Sequence, residues 1–145
     1  MPTTSELPES TEARDRVVVI GGGYAGLHAA TAVQRMGVEV TLVDSSESHD
    51  FVTRLAAVAG GTAPLSDAAA PLEDFQGDVE TVRATTVGDG MVELADGRTI
   101  HAGAVLVTTG AEVSRPPIEG IEAVRGLRNA QDAADLRGRI ASAES

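Results

Sequence analysis

The chain contains no cysteine, no lysine and no tryptophan, and its aromatic residues amount to two Phe and one Tyr. Without cysteine there is no disulfide, no thiolate zinc site and no thiol nucleophile. Without large aromatics the core must be aliphatic, built from the Val, Leu, Ile and Ala that supply most of the 42% hydrophobic content. The eleven basic residues are all Arg and face 22 acidic ones, giving a net charge of −11. Such a surface has no basic face to displace counterions, which excludes nucleic acid as a partner. The all-arginine set reads as a compositional bias and carries no mechanism. No apolar run approaches the length of a membrane span, and Met1–Arg14 lacks the apolar stretch of a signal peptide. At 145 residues the chain has room for one domain.

What is present concentrates in Arg16–Asp44, RVVVIGGGYAGLHAATAVQRMGVEVTLVD. The β-branched run Val17-Val18-Val19-Ile20 leads into Gly21-Gly22-Gly23-Tyr24-Ala25-Gly26. A helix-prone segment follows to Met36, Gly37 stops it, and the apolar run Val38–Val43 ends on Asp44. Strand, glycine turn, helix, strand and acid in this order make a βαβ unit suited to a dinucleotide. Gly21 permits a tight turn off the strand. Gly23 lets bare backbone approach a pyrophosphate, and Gly26 lets the helix pack close. Tyr24 and Ala25 complete the loop at the helix N-terminus, whose N–H groups and dipole favour phosphate. Asp44 stands where a carboxylate accepts a hydrogen bond from a ribose 2′-OH. The motif alone does not choose between FAD and NAD. It disfavours NADP, because Asp44 would repel a 2′-phosphate and no Arg follows at once.

Elsewhere the signals are coarser. Residues 1–15 are expected to be a disordered tail. Ser45–Asp50 reads as a polar loop and Phe51–Ala59 as a short helix ended by Gly60-Gly61. Thr62–Ala70 carries little information, and Pro71–Phe75 suggests one helical turn. Asp78–Val87 reads as a strand. Met91–Leu94 and Arg98–Ile100 flank Ala95-Asp96-Gly97, a hairpin signal. Ala104–Thr108 is another apolar strand, and Arg115-Pro116-Pro117 breaks the chain. Asn129–Ala143 returns to helical spacing, with Ala133, Leu136 and Ile140 on one face. Among the histidines, His28 is read as structural, His101 as surface and His49 as a solvated loop residue with the cofactor as its other reading. None has metal-ligand spacing, so no metal is expected. Arg54 has the charge to counter a pyrophosphate, although long Arg side chains usually cover apolar surface. No residue is an evident general acid or base.

The βαβ unit, the meander of short strands and the strand ending in Thr108-Thr109-Gly110, followed by Pro116 and Gly120, together resemble the FAD domain of the two-dinucleotide-binding flavoproteins. That family includes pyridine nucleotide-disulfide oxidoreductases, ferredoxin reductases and type II NADH dehydrogenases. Leu27 after the glycine turn, with His49-Asp50-Phe51, Arg54-Leu55 and Ala59-Gly60, looks most like the type II NADH dehydrogenase branch. The resemblance implies an α/β, Rossmann-like FAD-binding domain: a parallel sheet plus a β-meander. It implies that Gly21–Gly26 and Asp44 bind the ADP half of FAD and that the backbone of Ala84 pairs with adenine. Thr109-Gly110, where the family has Ala-Thr-Gly and this chain Thr-Thr-Gly, would pass near the flavin. The missing cysteines exclude the disulfide reductases, which need a CxxxxC pair, and the single-cysteine NADH peroxidases.

The resemblance further implies an FAD-dependent NAD(P)H oxidoreductase in which the flavin takes a hydride and passes electrons to a small-molecule acceptor, such as a quinone. The expected division is a FAD-binding region over 16–128 and, over 129–145, a helix leading toward an NAD(P)H domain. The sequence stops where that domain would begin, so the expectation is the first part of a larger flavoprotein, too short for turnover alone. Its sheet would then expose an apolar edge, Val105-Leu106-Val107, open to association. The expected location is the cytoplasm, with peripheral membrane association for the complete protein. The alternatives are a non-catalytic nucleotide-binding module and a plain NAD-binding Rossmann domain. The latter would alternate strands and helices after Asp44, where this sequence shows a hairpin-rich meander.

Overall fold

The computed structural model describes residues 15–143; the tail expected over Met1–Arg14 lies outside the described residues. The chain divides into two compact units. The first joins the segment up to Glu47 with Leu72–Gly110, and the second joins Ser48–Pro71 with the segment from Ala111 onward.

In the first unit, strand β1 (Arg16–Ile20) leads into helix α1 (Tyr24–Arg35), which returns to β2 (Glu39–Asp44). Gly37 takes a left-handed conformation, φ +79°, just past the helix, and its N–H reaches the carbonyl of Gln34 at 2.9 Å. A side chain with a Cβ would be strained there, so glycine ends the helix. β1 pairs in parallel with β2 on one side and with β9 (Ala104–Val107) on the other, and β2 pairs in parallel with β5 (Asp78–Thr81). The sheet order is β5-β2-β1-β9.

Because successive strand residues point to opposite faces, the run Val17–Ile20 supplies both. Val19, Val40 and Leu42 pack with Leu27, Ala30 and Val33 of α1 and with Leu72. Val18, Ile20 and Val43 pack on the other face with Val92, Leu94 and Ile100. Those last three belong to an antiparallel meander, β6 (Ala84–Gly88), β7 (Met91–Leu94) and β8 (Thr99–His101). A sheet covered on both faces requires unbroken apolar strands, which is what the sequence shows.

The second unit has a two-stranded antiparallel ribbon, β3 (Ser48–Asp50) with β4 (Ala69–Pro71), then α2 (Leu55–Ala59) and α3 (Ala130–Ala143). Leu55, Val58, Ala59, Ala68 and Ala133 form its core. Asn129 and Asp132 cap α3 reciprocally. The Asp132 N–H donates to Asn129 Oδ1 at 2.8 Å, and the Asn129 N–H donates to Asp132 Oδ2 at 3.2 Å. Asp50 Oδ1 accepts the N–H of Ala130 at 3.0 Å, so β3 also holds this helix start.

Four expectations need correction. Ser48–Asp50 is a strand, not loop, because it pairs with Ala69–Pro71 in a stretch whose small residues gave no pattern. His49 is 6% exposed, not solvated, with Phe51 edge-on at 5.1 Å. Asp78–Val87 is two strands in two different sheets, broken at Val82-Arg83. Ile140 is exposed, since the core on α3 extends only from Ala130 and Ala133 to Leu136.

Candidate functional site

The glycine turn sits at the carboxyl end of β1, beside the carboxyl ends of β2 and β9, where open parallel sheets take their ligands. Gly21 has φ +107°, and a Cβ there would strike the backbone carbonyl of Thr108. Its N–H donates to the carbonyl of Val43 at 2.8 Å, which carries the sheet ladder one residue past β1. Gly26 is buried in α1, and a Cβ there would run into the carbonyl oxygen of Gly21 and lie 2.8 Å from Thr108 Oγ1. Turn and helix are therefore in backbone contact, and nothing larger than glycine fits at either position.

Gly23 differs from both. It is exposed, its backbone is extended (φ −73°, ψ −176°), and beyond its own chain neighbours no atom lies within 4 Å of the place a Cβ would take. It is the N-cap of the twelve-residue α1, and no side chain caps that helix end. The start of a long helix, uncapped by any side chain and approached through bare backbone, suits an anion. The open volume at Gly23 has room for a phosphate group. Tyr24 and Ala25 are exposed in the first turn of α1, and the Tyr24 carbonyl is 2.8 Å from His28 Nδ1, so that histidine is engaged within its own helix.

Asp44, the last residue of β2, is half-buried. Its Oδ2 accepts the N–H of Gly22 and its Oδ1 accepts the N–H of Ser46 at 2.7 Å. Each carboxylate oxygen keeps further acceptor capacity for a ribose hydroxyl. Thr81, the register partner of Asp44, ends β5. Ala84 follows three residues later, at the start of β6, packed against the Val18–Val92 core. Thr109 and Gly110 are exposed just past β9, with Gly110 at φ +73°. The first unit thus gathers Gly21, Gly23, Tyr24, Ala25, Gly26, Asp44, Ala84, Thr109 and Gly110 about one end of its sheet. Arg54 belongs to the second unit, where its guanidinium pairs with Asp67.

Sequence reasoning passed over Thr108. Its hydroxyl shares one proton between the carbonyls of Ile20 at 2.8 Å and Gly21 at 3.0 Å, and its N–H donates to the Ile20 carbonyl at 2.8 Å. The available signal was the polar residue ending an apolar strand that must lie beside β1. Among the described residues no three His, Asp or Glu side chains cluster as a metal site requires. No helix among them is long and apolar enough to cross a membrane.

Comparison with known proteins bears on the family and the fold. The profile of the pyridine nucleotide-disulphide oxidoreductase family matches residues 3–59 and 15–142. A type II NADH:quinone oxidoreductase of Mycobacterium tuberculosis, NdhA, is 30% identical over 99% of this chain and 33% of its own length. Among solved structures, the sulfide:quinone oxidoreductase of Aquifex aeolicus superposes with a TM-score of 0.79 at 20% identity, covering 88% of this chain and 32% of that one. NDH2 of Plasmodium falciparum, solved with NADH, gives 0.73 at 16% identity over 86% of this chain and 28% of its own. These structural likenesses establish the fold. The chain spans about a third of the length of the relatives it matches.

Proposed function

The chain belongs to the pyridine nucleotide-disulphide oxidoreductase family, and we propose that it forms the part of an FAD-dependent NAD(P)H oxidoreductase that holds the ADP half of FAD. The observation that carries this is the open backbone at Gly23, set at the N-terminus of α1 within one turn of Asp44's hydrogen bond to Gly22. The helix end and the turn backbone receive the pyrophosphate. Asp44 receives the adenosine ribose, and the segment at Ala84 lies beside the adenine. Thr109-Gly110 continue toward the flavin. Arg54 carries no part of this assignment.

Bound flavin supplies hydride acceptance and electron transfer. The residues of this chain bind and orient it. The meander favours FAD over a plain NAD-binding domain, because the chain leaves the parallel sheet for antiparallel strands after β5. Identity to the type II NADH:quinone oxidoreductase favours NADH as donor and a quinone as acceptor in the complete protein. We place that protein in the cytoplasm, meeting its acceptor at the membrane surface.

Isothermal titration with ADP, FAD and NADP tests the proposal. ADP and FAD are expected to bind and NADP to rank last, because its 2′-phosphate would meet the Asp44 carboxylate. Tightest binding to NADP would overturn the role given to Asp44.

A further inference from the structure

The peptide linking Gly21 to Gly22 is held at both ends by side chains. Its carbonyl lies 3.0 Å from Thr108 Oγ1 and shares that hydroxyl's one proton with the Ile20 carbonyl at 2.8 Å, and its N–H donates to Asp44 Oδ2. The preceding peptide is held in the same sense by backbone: the Ile20 carbonyl accepts from Thr108 N–H, and the Gly21 N–H donates to Val43. A parallel sheet has thus been extended by one rung beyond its strands. In that added rung a hydroxyl stands in for the β9 donor and a carboxylate for the β2 acceptor. The contacts leave little freedom, since a Cβ on Gly21 would strike the Thr108 carbonyl and one on Gly26 would come within 2.8 Å of Thr108 Oγ1.

We propose that Thr108 is a positioning residue of the dinucleotide site: through the Gly21–Gly22 peptide it fixes the Asp44 carboxylate toward the ribose 2′-hydroxyl. The reasoning is electrostatic and geometric. A hydroxyl on the carbonyl end of a peptide fixes the plane and polarises the N–H at the other end. That N–H is the one that grips Asp44. Alanine at this position would have no donor and could not do this. The proposal rests on the ADP-binding assignment above only for its ribose end. The clamp on the turn can be read without any ligand.

Two measurements on the 145-residue chain decide it, each made on the native chain, Thr108→Val and Thr108→Ser. Thr108→Val keeps the shape and removes the donor. It is expected to speed amide exchange at Gly22 about tenfold, the equivalent of one lost hydrogen bond. It is also expected to weaken ADP binding about fivefold while leaving 2′-deoxy-ADP binding nearly unchanged, so that the preference for the 2′-hydroxyl shrinks. Thr108→Ser restores the donor and is expected to match the native chain in both. A general weakening of the loop would lower both affinities equally and would overturn the positioning role. Unchanged Gly22 exchange in Thr108→Val would overturn the clamp whatever the ligands do. If native chain binds no ADP while Gly22 exchange still rises in Thr108→Val, the clamp is supported and the dinucleotide assignment fails instead.

Discussion

At the scale of single residues, the three motif glycines separate into two kinds. Gly21 and Gly26 are required by the protein itself, because a Cβ at either would meet backbone. Gly23 is required by nothing in the protein, since its backbone angles suit any residue and the space around it is open. The two kinds fail differently. Gly23→Val is expected to leave circular dichroism and the unfolding midpoint unchanged while ADP affinity falls more than about tenfold, as the branched side chain fills the phosphate space. Gly26→Ala is expected to cost about 3 kcal/mol or more in denaturant unfolding, because neither the Gly21 carbonyl nor the Thr108 hydroxyl can retreat. Thr41 gives the opposite sign. It is 3% exposed on β2, and its hydroxyl has no hydrogen-bond partner. Thr41→Val keeps the shape and removes the desolvated hydroxyl, so chemical denaturation should show a gain of about 1 kcal/mol. Gly21 and Gly26 were legible in the sequence because each answers a backbone requirement that no other residue meets, and Gly23 and Asp44 because they stand at the spacing of a dinucleotide-binding βαβ unit. Thr108 and Thr41 were not, because a threonine in a strand looks the same whether its hydroxyl is bonded, orphaned or in water.

Among the elements, β1, α1 and β2 were legible together. Their apolar periods are strong, and glycine marks both ends of the helix. Strands β3 and β4 were not, since three-residue strands rich in Ala and polar residues have no period and exist only by pairing with each other. The break between β5 and β6 was hidden for a related reason: Val79, Val82, Ala84 and Val87 read as one strand although they serve two sheets. The seam between those sheets carries an ion cluster. Arg98, after the β7–β8 turn, donates through Nε to Asp96 at 2.7 Å and through both terminal nitrogens to Glu80 on β5, at 2.6 and 3.0 Å. The side-chain bonds from Arg98 hold the Glu80 carboxyl below its ordinary 4.5. The Arg98 backbone N–H, then its guanidinium, holds Asp96 below its ordinary 3.8. A lowered carboxylate stabilises the fold above its ordinary value and loses that contribution as pH falls through the lowered one. Stability assisted by Arg98 is therefore full from pH 4.5 upward and fades in stronger acid. Arg98→Gln is expected to return the Glu80 carboxyl toward its ordinary value in an NMR titration and to move Asp96 less, because the backbone N–H at position 98 remains. It should also flatten the acid limb of the stability curve, by a small amount because these groups are exposed and screened by salt. Unmoved titrations would mean that the cluster does not persist in solution.

For the molecule as a whole, the two edges of the parallel sheet are unlike. The β5 edge carries Asp78 and Glu80, charges of the kind that discourage strand addition. The β9 edge is Ala104-Val105-Leu106-Val107 and, among the described residues, pairs only with β1. Its exposure extends to both faces: Leu106, in register with Val19 on the helix side, is 37% exposed, and Val107, in register with Ile20 on the meander side, is 62% exposed. An uncharged strand open on its backbone edge and partly exposed on both faces, with Val105 packed against the core, invites a further strand. Against this stands the net charge of −11, which makes two copies repel. The balance depends on ionic strength, because at about 0.1 M salt the screening length is only about 10 Å while an apolar contact is not screened. Self-association of this chain in sedimentation is therefore expected to rise with salt. The double variant Leu106→Lys, Val107→Lys, which places charge on both faces of the edge, is expected to abolish it without loss of ADP binding. A native chain that stays monomeric at high salt would show the β9 edge to be protected.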